Sequence, residues 1–156
     1  MTRPIRIVIA DDHQLMLDGL SQGLDSLPDI DVIGTATDGE ALVALLGSAE
    51  PDVVLVDVEM PGMSGLAALA SIDPVPPTLV VTMHAADDYG MPAREAGASG
   101  FLSKGLPLPD LAAAIRAVSD GRDLFEDGIE VIEDYRSPTL SVRAESITDR
   151  ERDVLR

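Results

Sequence analysis

The sequence has no cysteine and no tryptophan, and aromatic residues make up only 3% of it. Without cysteine there can be no disulfide scaffold and no thiolate metal site, as befits a reducing cytosol. With two Phe and two Tyr in 156 residues, the core must be built from Ala, Val, Leu and Ile. Cations are scarce as well: 11 Lys plus Arg stand against 28 Asp plus Glu, a formal charge of −17. Such a balance opposes nonspecific attraction to nucleic acid or to anionic membranes, and suits a chain that binds cations or has a basic partner domain. Lysine itself occurs once, at Lys104. No apolar run approaches the roughly 20 residues that span a bilayer, and "MTRPIRIVIADD" meets an acidic pair before a signal-peptide core can form. These absences predict a soluble, cytoplasmic chain with no membrane partner.

What is present is an alternation of two periodicities. "IRIVIA" (5–10), "DVIGTA" (31–36), "DVVLVDV" (52–58), "PTLVVTM" (77–83) and "SGFLS" (99–103) are short and mostly apolar. They read as strands buried on both faces, as in a parallel sheet. Between them, Met16, Leu20, Leu24 and Leu27 mark one face of a helix over 13–27. Asp38 is a good N-cap for a helix over 39–48, a third helix runs over 64–72, and Gly121 is placed to cap one over 108–121. Strand–helix alternation at this spacing implies right-handed crossovers with helices on both faces. The fold class is therefore α/β, a (βα)5 doubly wound parallel sheet. Half of a larger dinucleotide-binding fold would carry a glycine fingerprint after the first strand, where this chain has Asp-Asp-His. The flavodoxin-like strand order 2-1-3-4-5 is the better match.

The fourth helix fits badly. "DDYGMPAREAG" (87–97) contains Gly90 and Pro92, and an interior proline costs about 3 kcal/mol. The expectation is a helix that starts late, with Pro92 in its first turn, or a short one. Domain organisation follows from the change after Gly121: residues 1–121 form the α/β domain, and 122–146 read as an acidic linker. Residues 147–156 ("ITDRERDVLR") begin a helix with Thr148 and Glu151 as a capping box.

In open parallel sheets ligands bind at the carboxyl ends of the strands. Asp11 and Asp12 end the first strand and Asp57 the third, neighbours in this order. Thr82 ends the fourth and Lys104 the fifth. An Asp-Asp pair before a helix is most often a cap, and a Thr in a strand is usually ordinary β-propensity. Their joint placement at successive strand ends is what points to function. Three close carboxylates repel unless a cation joins them, and hard oxygen donors without a His or Cys partner suit Mg²⁺.

The motifs "IVIADDHQLMLDGL", "PDVVLVDVEMPGMSGLAAL", "VVTMH" and "AGASGFLSKG", in this order and spacing, resemble a bacterial two-component response regulator receiver of the NarL type. Residues 147–156 resemble the truncated start of a LuxR-type helix-turn-helix DNA-binding domain. The resemblance implies that Asp57 is the phosphoacceptor, taking a phosphoryl group from a sensor histidine kinase. It implies that Asp12, Asp57 and the backbone carbonyl of Glu59 ligate Mg²⁺, with Asp11 reaching it directly or through water. It further implies that Thr82 and Lys104 contact the phosphoryl group and that Phe101 moves with the switch. Glu59 and His84 resemble positions that tune phosphoryl lifetime. DNA contact would belong to the output domain missing from this chain, and homodimerisation would follow phosphorylation. Two departures stand out: Gly105, not proline, follows the lysine, and Gly90 and Pro92 interrupt the signalling helix.

Rival readings remain: a Mg²⁺-dependent aspartyl phosphatase, or a receiver-like module that works without phosphorylation. The phosphatase would need a second acid two residues after the nucleophile. Glu59 sits there, but a haloacid-dehalogenase-type signature has Asp, and no substrate cap is evident. Beyond self-phosphorylation and slow autodephosphorylation, the chain is not expected to be an enzyme.

Overall fold

Five short strands rich in Val, Ile and Leu run parallel in one sheet: Ile5–Ala10 (β1), Ile30–Ala36 (β2), Val53–Val56 (β3), Thr78–Thr82 (β4) and Gly100–Ser103 (β5). Their order is β2-β1-β3-β4-β5, the flavodoxin-like arrangement that the sequence predicts. This computed structural model describes residues 3–83, 86–127, 135 and 136. Helices Gln14–Asp25 (α1), Gly39–Ser48 (α2), Gly65–Ala70 (α3) and Ala86–Glu95 (α4) fill the four crossovers, Leu108–Ser119 (α5) follows β5, and a single turn, Leu124–Asp127 (α6), comes after it. Among the described residues no helix is long and apolar enough to cross a membrane.

Side-chain alternation along β1 divides the core in two. Ile7 and Ile9 face a cluster with Leu24, Leu55, Leu111 and Ile115, which α1 and α5 cover. Val8 and Ala10 face the other cluster, with Leu42, Val54, Leu69 and Val80. Each such buried aliphatic side chain contributes about 1.5–3 kcal/mol, and small residues let the layers approach closely. The inward face of α1 is centred on Leu17 and Leu24, with Met16, Leu20 and Leu27 only half-buried beside them. Asp38 caps α2 by accepting the Ala41 N–H at 2.7 Å.

The fourth helix departs from expectation. It does not start late: α4 runs ten residues with Pro92 inside it. Proline's fixed φ suits a helix, and its costs are the missing N–H bond to the preceding turn and the crowding of its ring against the carbonyl four residues earlier. The C-terminal half holds the helix instead. Ala93 is fully buried, and Gly97, at φ 101°, ends it in a Schellman motif with Ala98 N–H to Ala93 O and Gly97 N–H to Arg94 O, both 3.0 Å. The same motif closes α5 at Gly121, the predicted cap.

Part of the segment read as an acidic linker is docked on the sheet. The Leu124 N–H donates to Ser99 O at 2.8 Å, and Leu124 packs against Gly100 at the edge of β5. Tyr135 is buried, and its hydroxyl donates to Asp120 at 2.9 Å. Residues 147–156 lie outside the described residues.

Candidate functional site

The carboxyl ends of β1, β3 and β5 converge on one pocket. Asp11 continues β1, its N–H bonded to Ala36 O at 3.0 Å, and Asp57 continues β3, its N–H bonded to Ala10 O at 3.0 Å. Both carboxylates lie on extensions of central ladders, so they are fixed and buried, at 2% and 4% exposure. Lys104 follows β5, its N–H on Thr82 O at 2.9 Å. Its ammonium bridges Asp11 Oδ2 and Asp57 Oδ2, each at 2.9 Å. Burial works against the Lys104 charge, but the hydrogen bonds and negative charge of Asp57 and Asp11 outweigh it and raise the amine above its usual 10.5.

Asp12 stands at the pocket mouth and lines an open cleft of about 520 Å³ with Val58, Glu59, Met60, Pro61 and Leu66. The loop after β3 must come close. A Cβ at Gly65 would collide with the Asp57 carbonyl, so only glycine lets the start of α3 pack there. The Glu59 N–H donates weakly to Asp57 Oδ1, at 3.3 Å. Thr82 is fully buried at the end of β4, and Phe101 is half-buried against the second core cluster. His84 lies outside the described residues.

The three carboxylates can hold a metal: one ligand atom each from Asp11, Asp12, His13 and Asp57 lies within 4.8 Å of the others. Formally three negative charges meet one ammonium, and this oxygen-rich donor set fits a hard divalent cation. The expectation of a pocket without histidine needs correction, because His13 Nδ1 lies 3.2 Å from both Asp11 Oδ1 and Asp12 Oδ1. The Asp-Asp-His run itself was the available signal. A histidine directly after two strand-end acids is carried to the same rim by the turn into α1.

A doubly wound 2-1-3-4-5 sheet with strand-end acids gathered around one lysine is a receiver domain. Residues 7–116 match the family model described as the response regulator receiver domain, and the chain belongs to that family. It is 38% identical to the transcriptional regulatory protein LiaR of Bacillus subtilis, over 97% of this chain and 74% of that protein. It is 36% identical to DesR of the same organism, over 97% and 73%. Its fold is similar to the signal receiver domain of the response regulator NarL from Mycobacterium tuberculosis, with a TM-score of 0.74, 31% identity and coverage of 78% of this chain and all of that one. The chain is thus the receiver of a NarL/LuxR-type two-component response regulator.

Proposed function

We propose that Asp57 accepts a phosphoryl group from the phosphohistidine of a sensor histidine kinase, and that this switches a C-terminal DNA-binding output domain. The observation that carries the reading is the Lys104 ammonium held between two buried carboxylates at 2.9 Å. Lys104 engages Asp57 Oδ2, while Oδ1 has, among the described residues, only the weak Glu59 N–H bond to give up before it attacks. The new bond joins a carboxylate oxygen to phosphorus. The phosphorus–nitrogen bond of the donor breaks, and its electron pair returns to the imidazole, which takes a proton.

The attacked group is itself anionic, so the spreading charge needs cations at its oxygens. Lys104 supplies one by moving from the Asp57 carboxylate to a phosphoryl oxygen. Asp11, Asp12, Asp57 and the Glu59 carbonyl would hold Mg²⁺, which supplies the second neutralising charge when bound. Thr82 then turns its hydroxyl to the phosphoryl group and Phe101 moves toward the vacated space, altering the α4–β5–α5 face. Glu59 and His84 set water access and so the lifetime of the acyl phosphate. DNA contact falls to the output domain that 147–156 begin, since a chain of net charge −17 repels the phosphate backbone. Homodimerisation on phosphorylation belongs to the same reading.

Mass spectrometry after incubation with acetyl phosphate and Mg²⁺ tests the proposal. Wild type should carry one phosphoryl adduct and Asp57→Ala none. An adduct retained in the variant, or none in wild type, overturns it, and rapid multiple turnover would instead favour a phosphatase.

A further inference from the structure

The N-cap of α1 is occupied by a histidine that does not cap. His13 has the extended backbone of an N-cap, φ −90° and ψ 104°, yet its side chain makes no cap hydrogen bond. Ser, Thr, Asp or Asn there would satisfy an orphan N–H and stabilise the helix. The side chain is directed elsewhere. The His13 N–H donates to Asp11 Oδ1 at 2.9 Å, a turn that folds the ring back over the pocket. Nδ1 then lies 3.2 Å from Asp11 Oδ1 and from Asp12 Oδ1, with the Lys104 ammonium 3.4 Å away.

We propose that His13 Nδ1 is a nitrogen donor to the divalent-cation site, tilting its preference from Mg²⁺ toward first-row transition ions such as Zn²⁺ and Co²⁺. This rests on the cation-binding reading of the acidic pocket. Mg²⁺ favours oxygen ligands in octahedral geometry and parts reluctantly with water, so an imidazole adds little to its binding. Borderline ions gain substantially from one imidazole nitrogen among carboxylates. The ring is two-thirds exposed, so it can rotate onto an ion without disturbing the core. Asp11 and Asp57 are buried and held at the ends of β1 and β3, leaving the ring and the Asp12 carboxylate at the rim as the adaptable donors of the four.

The test is calorimetric titration of the whole chain with Mg²⁺ and, separately, with Zn²⁺, in a His84→Gln background that removes the other histidine. His13→Gln should lower the ratio of Zn²⁺ to Mg²⁺ affinity by at least ~10-fold. His13→Asn, which restores a good N-cap, should lower it equally, so that a folding defect cannot be the cause. Proton spectra of the Co²⁺-loaded chain should show a strongly shifted exchangeable imidazole N–H that both variants lose. An unchanged affinity ratio in both variants, or no such shifted signal in the Co²⁺-loaded chain that keeps His13, overturns the role of His13 and leaves the Mg²⁺ reading standing. Failure of the chain to bind either ion overturns both.

Discussion

Two buried cations, Lys104 and Arg116, each with a side chain only 2% exposed, show how differently the same fold uses charge. Arg116 on α5 is fully matched. Its guanidinium forms a two-point pair with Asp29 at 2.7 and 3.2 Å and donates to the carbonyls of Tyr135 and Arg136 at 2.9 Å. One positive charge meets one negative charge and two dipoles, so nothing further is required, and the result is a clasp between α5, the α1–β2 loop and the segment after the sheet. Lys104 is outnumbered. It faces two buried carboxylates with a third, Asp12, at the rim, and the surplus negative charge is relieved only by another cation. The balanced site holds the fold together, whereas the unbalanced one can respond to a ligand.

Breaking each cation in turn sharpens the contrast. Arg116→Ala should have the larger effect on stability, about 3 kcal/mol in urea unfolding, because it strands Asp29 and two carbonyls in partly buried surroundings. Divalent cations should not rescue it. Lys104→Ala should also destabilise the metal-free chain by leaving the carboxylates to repel, but Mg²⁺ should restore what is lost. Saturating Mg²⁺ at about 100 times its dissociation constant adds about 2.7 kcal/mol to a binding-competent fold. Equal Mg²⁺ responses in the two variants would erase the distinction between the two cations.

Alkaline pH gives the smallest effect and touches both regions. Burial, and next the hydrogen bond to Asp120, push the Tyr135 hydroxyl up from 10.0 to about 12. Between those values the unfolded chain releases a proton that the folded chain keeps. Stability is therefore whole below pH 10 and falls as pH rises toward 12, by on the order of 1–2 kcal/mol. Lys104 acts in the same sense, its contribution present below 10.5 and lost as pH rises through the raised folded value. Tyr135→Phe should flatten this slope in unfolding measurements at successive pH values, while Lys104→Met should flatten a separate part of it. A slope unchanged in Tyr135→Phe would remove Tyr135 from the clasp.

Arg116 also shows what was not legible in the sequence. Within "LAAAIRAV" a lone arginine offers no local sign of its partners, since Asp29 and Tyr135 are 87 and 19 positions away. Lys104 was legible because strand order brings residues at strand ends to one edge, and that order followed from the βα alternation together with Asp-Asp-His where a glycine fingerprint would otherwise stand. His13 was missed because a helix N-cap is ordinarily a local matter, and nothing local shows that the ring turns to the acids. Pro92 misled for the opposite reason. Propensity weighs against an interior proline, but the buried Ala93 and the Gly97 cap outweigh one missing hydrogen bond.

By itself the sequence determined the alternation of strands and helices, the sheet order and the convergence of Asp11, Asp12, Asp57 and Lys104. Hydrophobic period and the rule of strand ends are properties of neighbouring residues along the chain. Only the tertiary structure decided that Lys104 bridges two acids at once, that His13 turns toward them, and that Arg116 ties residues 135 and 136 back onto α5. Each depends on atoms brought together across tens of residues, where burial makes a charge either matched or in need of a partner.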